Sequence, residues 1–284
     1  MTQGLTIGVL GDLHLATEPY PPSSWHNSYD FGGLVERVDA AMSAFAVARV
    51  DAICLIGDLT HTGSPAPLPP LASRLADLAV PVLVASGNHD RGDQALRAAL
   101  PKAELAPHWG RSLGGWRLAA LQIRLGPIFG AKLQSVPVVE QWAREPVVLL
   151  SHFPICSFAE SFAERGMPYP GDFIGREAVR QSLTLRSAPT VVMSGHLHAR
   201  ASKCDGPMLQ LVQGSLVEAP YECSVLEIEP SRITRRALEL QGPRIDGRAP
   251  ALADPVETFV LLDDCWRAVA PSADQERSTT APSA

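Results

Sequence analysis

Asp12 and His14 stand two apart in "GDLHL", and Asp58 sits in "GDLTH". Asn88, His89 and Asp90 are consecutive in "GNHD", His152 lies in "SHFP", and His196 and His198 are two apart in "GHLH". Carboxylates, imidazoles and an amide are the donors that Mn, Fe or Zn accept, unlike a thiolate site or an all-oxygen calcium site. Residues i and i+2 of an extended or tightly turned segment point to the same side. Asp12 with His14, and His196 with His198, can therefore each present two ligands together. Asp12, His14, Asp58, Asn88, His152, His196 and His198 make seven ligand side chains, more than one ion needs. If one carboxylate is shared, they divide evenly between two ions.

Singly, each residue has an ordinary use, because an Asp after a strand commonly serves as a turn or helix cap. Their placement together is what argues for a site. Apolar, β-branched runs at 5–10, 51–56, 81–86, 146–151 and 189–194 read as buried strands, and each ends on one of these groups. Segments 33–48, 70–79, 93–100 and 175–186 read as helices between them. Continuous apolar strands separated by helices predict a sheet buried on both faces. Parallel strands carry their carboxyl ends to one edge, where α/β folds place ligands. Glycines 11, 57, 87 and 195 are expected to allow close backbone approach and unusual dihedrals.

Segments 116–125, 207–213, 222–229 and 232–240 read as meander strands, giving a layered α/β domain with two sheets. Two long stretches, 16–33 and 155–175, follow the first and fourth strands and are candidate lids or substrate walls as well as ordinary surface loops. Their aromatics Trp25, Tyr29, Phe158, Phe162 and Tyr169 could stack a base or sugar, although packing the loops down is the commoner use. His26 and His108 read as loop residues, and His61, two beyond Asp58, as a turn residue near the shell behind the ligands or as a substrate contact. The expected division is a domain over 1–240 and an extension over 241–284 that carries a docking helix at 255–268 and a disordered end from 271.

Hydrophobic residues make up 46% of the 284 residues and charged residues 19%, which suits one large globular core. A formal net charge of -6 argues against sequence-independent nucleic-acid binding, which needs a basic face. No apolar run approaches the roughly 18 residues of a membrane span. The N-terminus lacks the features of a secretory signal, and the scattered Cys54, Cys156, Cys204, Cys223 and Cys265 include no C-x-x-C, so a reduced, cytoplasmic setting is expected. A homo-oligomer is left open.

The ordered set D-x-H, G-D, G-N-H-D, H and G-H-x-H, over residues 12 to 198, closely resembles the calcineurin-like metallophosphoesterase superfamily. The resemblance implies a four-layer α/β-β/α sandwich of two mixed β-sheets flanked by helices, with a dinuclear centre at their edge. Carried over position by position, it implies one ion on Asp12, His14 and His198, a second on Asn88, His152 and His196, and Asp58 bridging both. His89 then corresponds to the family's non-ligand histidine at the departing oxygen, and Asp90 to its orienting partner. The implied reaction is hydrolysis of a phosphoester by direct attack of a metal-bridging hydroxide, with no covalent phospho-enzyme. Asn88 and His89 would also meet the substrate.

Protein phosphatases of the superfamily read R-G-N-H-E, whereas this chain reads "SGNHDR", with Asp90 in the Glu position and Arg91 after it. "GNHDR" with "GHLHAR" looks more like the bacterial class III phosphodiesterases of cyclic nucleotides, and Arg91 is a candidate phosphate contact. A small phosphodiester is therefore the expected substrate. A phosphomonoesterase, a pyrophosphatase, a nuclease and a non-catalytic binding module on the same fold are the alternatives. A decayed member should have dropped His89, Asp58 or the "GHLH" pair, and none is missing.

Overall fold

A computed structural model describes residues 4–17, 24–90, 93–105, 111–121, 123–125, 131–133, 144–243 and 251–270. The chain opens with strand β1 (Leu5–Leu10), helix α1 (Leu34–Ala48), β2 (Ala52–Ile56), α2 (Pro69–Ala76), β3 (Val82–Ala85) and α3 (Asp93–Ala99). Next come β4 (Ala103–Leu105), β5 (Arg111–Leu113), β6 (Trp116–Ala120), a separate pair β7 (Ile123–Leu125) and β8 (Ala131–Leu133), and β9 (Val147–Leu150). Helices α4 (Ala159–Glu164) and α5 (Arg176–Thr184) precede β10 (Thr190–Ser194), β11 (Ala201–Asp205), β12 (Met208–Val212), β13 (Glu222–Glu229) and β14 (Arg232–Glu239). Strands β15 (Val256–Leu262) and β16 (Cys265–Val269) complete the described elements.

Two mixed sheets result, ordered β16-β15-β14-β13-β1-β2-β3-β4 and β11-β12-β10-β9-β6-β5. The alternation of side chains explains both the apolar strands and the layers. Ile7, Val9, Cys54 and Ile56 of the first sheet pack against Val148, Leu150, Val191 and Met193 of the second. Their neighbours Ile53, Leu55 and Val84 turn outward onto Phe45 of α1 and Leu71 and Leu75 of α2. On the other side Val147, Leu149 and Val192 turn onto Phe162 of α4 and Val179 and Leu183 of α5. Each central strand is apolar on both faces because it separates two cores. This is the four-layer helix–sheet–sheet–helix arrangement expected from the sequence.

Three expectations need correction. The five strand ends do not share one sheet edge, since β1, β2 and β3 lie in the first sheet and β9 and β10 in the second. Their ends meet across the gap between the sheets. Residues 255–268 do not form a helix either, because β15 and β16 are a hairpin paired to β14. Leu262 pairs with Cys265 around Asp263 and Asp264, whose φ values of 49° and 58° match the turn that joins twisted strands through two residues. The second long stretch contains α4 and is not wholly loop. The tail from 271 and His108 lie outside the described residues. Among those described, no helix is long and apolar enough to cross a membrane.

Candidate metal centre

The ends of β1, β2 and β10 turn abruptly, and the turns are made by the polar residues themselves. Asp12, His14, Asp58, His196 and His198 have φ values of 51°, 48°, 49°, 67° and 49°. This left-handed region is sparsely used by residues with a side chain, Asp and His being among the more tolerant. Alternate left-handed residues place Asp12 beside His14 and His196 beside His198. Backbone bonds hold the turns together: Asp12 N–H donates to the Gly57 carbonyl at 3.1 Å and His14 N–H to the Asp58 carbonyl at 2.8 Å. Of the four glycines, Gly57 alone has a positive φ, 78°. Gly87 and Gly195 serve close approach, because a side chain there would run into Asp58 and Asp12 respectively, whereas Gly11 has ordinary clearance.

Cross-sheet bonds bring the two halves together. His196 N–H donates to the Asp12 carboxylate at 3.1 and 3.0 Å, and His152 Nδ1–H donates to the Ile56 carbonyl at 2.9 Å. Three clusters form, Asp12 with His14 and His198, Asp58 with His152 and His196, and His14 with His61 and His89; in each, one ligand atom per residue lies within 4.8 Å of the others, and the first two hold the residues read as ligands. Asn88 joins the second, its Oδ1 being 3.0 Å from His152 Nε2. Asp58 Oδ2 lies between the first two clusters, 3.7 Å from His14 Nε2 and 3.3 Å from His152 Nε2. All seven residues selected as ligands from the sequence therefore meet in one place.

The far nitrogens of three rings are committed. His198 Nδ1–H donates to Glu218 at 2.8 Å, His152 Nδ1–H donates to Ile56, and His196 Nε2–H donates to the Pro170 carbonyl at 3.3 Å. A neutral His152 then aims a lone pair at the Asp58 carboxylate, and a neutral His198 aims one at Asp12 Oδ1, 3.5 Å away. Acceptor facing acceptor is stable only with positive charge between them. Burial opposes that charge, yet Asp58 pushes His152 up to about 9, and Asp12 with Glu218 pushes His198 up to about 9. Burial and then cationic His152 lower His196 to about 3, and burial lowers His14 well below its ordinary value. Burial would raise Asp58, but His152 and His14 hold it well below the usual carboxylate range. A divalent cation at each of the first two clusters meets the same demand without ring protons, so the donor set fits the metals that the sequence implies.

His89 projects beside the first two clusters, its ring centroid 4.7 Å from that of His14. Asp90 does not orient it. The Asp90 carboxylate instead accepts from Leu59 N–H at 3.2 Å, Thr60 N–H at 3.0 Å, Thr60 Oγ1 at 3.1 Å and Gly87 N–H at 2.9 Å, pinning the turn after β2 to that after β3. His89 Nδ1–H donates to the His61 carbonyl at 2.6 Å, which leaves Nε2 for other partners. His61 also meets His14 ring to ring, Nδ1 to Nδ1 at 3.3 Å. It supports two site histidines, in keeping with its place two residues beyond Asp58. Arg91 lies outside the described residues.

The loop aromatics divide. Trp25 stands over the site, 5.0 Å from His198 and 5.7 Å from His196 between ring centroids, and Tyr29 lies 5.5 Å from both His14 and His198. Phe158 and Phe162 are buried on the helix side of the second sheet, with Tyr169 packed against that core, so they hold their loop down. Sequence reasoning missed Glu218 altogether. It is buried, bonds His198, and comes from "GSLVEAPYE", where neither spacing nor flanking residues mark it.

A dimetal phosphatase from Danio rerio superposes with a TM-score of 0.65 at 14% identity, over 82% of this chain and 95% of that one. Yfce, a phosphoesterase from E. coli, gives 0.43 at 17% identity over 87% and 99% of the two chains. Vps29 from Entamoeba histolytica, complexed with zinc, gives 0.41 at 12% identity over 93% and 97%. No curated protein matches the sequence. The calcineurin-like phosphoesterase family model matches residues 5–200, which span every strand end of the centre. With the fold and the clustered ligands, that match establishes that the chain belongs to the calcineurin-like phosphoesterase family.

Proposed function

We propose that this chain is a phosphodiesterase working with two divalent cations (Mn, Fe or Zn), and that its substrate is a small phosphodiester of nucleotide type. Asp12, His14 and His198 would hold one cation, Asn88, His152 and His196 the other, with Asp58 between them. The supporting observation is the orientation of the rings: His152, His196 and His198 each spend one nitrogen on a neighbouring acceptor and turn the other inward. Cations held there would supply an activated water and offset charge developing on the phosphate oxygens.

The chain's own residues do the rest. His89, fixed through Nδ1–H on the His61 carbonyl, keeps Nε2 for the departing oxygen and, when doubly protonated, is placed to give it a proton. Asn88 sits at the partly exposed rim of the second cluster, where its amide can also meet a phosphate oxygen. Cys54, Cys156 and Cys223 are buried, and burial pushes their thiols up to about 12, which makes them poor nucleophiles. Direct attack by water is the reading this favours, and trapping a phosphorylated residue would contradict it.

The test is hydrolysis of bis(p-nitrophenyl) phosphate with added Mn²⁺, Fe²⁺ or Zn²⁺, before and after chelation. Turnover that chelation abolishes is expected, with kcat/KM above that for p-nitrophenyl phosphate. No turnover with any of the three metals would return the chain to the binding-module reading. Cyclic nucleotides, glycerophosphodiesters, dinucleotides and nucleotide sugars, compared by kcat/KM, then identify the substrate.

A further inference from the structure

Glu218 is fully buried, and its ion pair among the described residues is with His198. An ionised carboxylate taken out of water is costly unless each oxygen is satisfied. Here both are. Oε2 accepts from His198 Nδ1–H at 2.8 Å, and Oε1 accepts from the backbone N–H groups of His26, at 2.6 Å, and Asn27.

The turn that carries it is held in place from several sides. Ser215 Oγ accepts from Val217 N–H and Glu218 N–H, both at 3.0 Å, and Leu216 N–H donates to the Asp12 carbonyl at 3.3 Å. The loop that carries Trp25 and Tyr29 is fastened to the same turn and to the turn after β10. Asp30 N–H donates to the Val217 carbonyl at 2.8 Å, Asn27 Nδ2–H to the Ala219 carbonyl at 3.1 Å, and His26 Nε2–H to the Leu197 carbonyl at 3.0 Å. One carboxylate thus joins a ligand histidine to the segment whose aromatic rings stand over it.

We propose that Glu218 is a positioning residue that couples cation binding at His198 to the seating of the 24–31 loop. Its Oε2 fixes the His198 tautomer with Nε2 bare and adds negative charge behind the ring, both of which strengthen that nitrogen as a ligand. Its Oε1 closes the loop onto the site. A carboxylate offers two acceptors and an amide only one, so Glu218→Gln preserves size and shape but can keep only one of the two connections. If the amide oxygen stays on the loop, the NH₂ faces His198 Nδ1 and forces the tautomer that blocks Nε2. If it stays on His198, the NH₂ faces two backbone N–H groups and the loop is released.

This inference rests on the reading of His198 as a cation ligand, so the test carries a control for that reading. Mn²⁺ is titrated into the full-length wild type, Glu218→Gln, Glu218→Ala and His198→Ala, with free Mn²⁺ followed by electron paramagnetic resonance. Hydrogen exchange of the peptide covering 24–31 is measured on the same samples. For Glu218→Ala, the expected result is a roughly 10–100-fold rise in the dissociation constant of one Mn²⁺ site, together with faster exchange in 24–31. Glu218→Gln is expected to show at least one of these changes and, being isosteric, decides the matter if the alanine variant does not fold. His198→Ala is expected to lose that site outright. Wild-type Mn²⁺ affinity and wild-type exchange in Glu218→Gln, while His198→Ala loses a site, would overturn the role of Glu218 alone. An unchanged Mn²⁺ stoichiometry in His198→Ala would instead overturn the underlying assignment of the ligand.

Discussion

Asp12, His14, Asp58, His196 and His198 all hold a left-handed backbone that costs on the order of 1–3 kcal/mol for a residue with a side chain. Such strain persists where surrounding bonds impose it, and the residues that bear it here are those proposed to bind cations. His89 and Asp90 separate sharply at this scale despite being adjacent. His89→Ala should lower kcat by about 10²–10⁴-fold, the usual contribution of a proton donor, and leave Mn²⁺ binding intact. Asp90→Ala should strip the bonds that unite two turns and destabilise the metal-free protein by on the order of 3 kcal/mol, read from urea unfolding. A kcat defect with unchanged stability would restore Asp90 to the orienting role that the resemblance implied. The convergence of the seven residues proposed as donors was legible because polar residues closing apolar runs are conspicuous. Glu218, the His61 carbonyl and the true partners of Asp90 were not, since those contacts join segments whose proximity only the folded chain creates.

Helices and central strands were legible at the scale of the element, because a strand buried on both faces reads as an unbroken apolar run. The hairpin of β15 and β16 was misread. "VETFVLLDDCWRAV" carries enough apolar residues to suggest a docking helix, yet its central Asp-Asp is a two-residue turn between β-branched and aromatic stretches. Phe259 and Trp266 go into the core between the sheets, and Arg235, fully buried, donates to Glu257 and to the Ala201 and Val212 carbonyls, at 3.1 and 2.9 Å. The hairpin therefore closes one flank of the sandwich. Phe259→Ala should cost about 3–5 kcal/mol in chemical denaturation. A loss below about 1 kcal/mol would mean that the hairpin contributes little to the fold.

The resemblance implied two sheets with a centre at their edge, whereas the strand pattern alone had put every polar strand end on one sheet. Asp12, His14, Asp58 and Asn88 arrive from the first sheet, and His152, His196 and His198 from the second. Cations at the junction should therefore brace the two halves. Mn²⁺ at about a hundred times its dissociation constant should add about 2.7 kcal/mol per site, so chelation should lower the melting temperature and Mn²⁺ should restore it. An unchanged melting temperature would argue against cations at the junction. The central claim is tested most directly by locating the ions, through anomalous diffraction from crystals grown with Mn²⁺. Two peaks are predicted, one among Asp12, His14 and His198 and one among Asn88, His152 and His196, with Asp58 touching both. A single peak, or none between the sheets, would contradict the account.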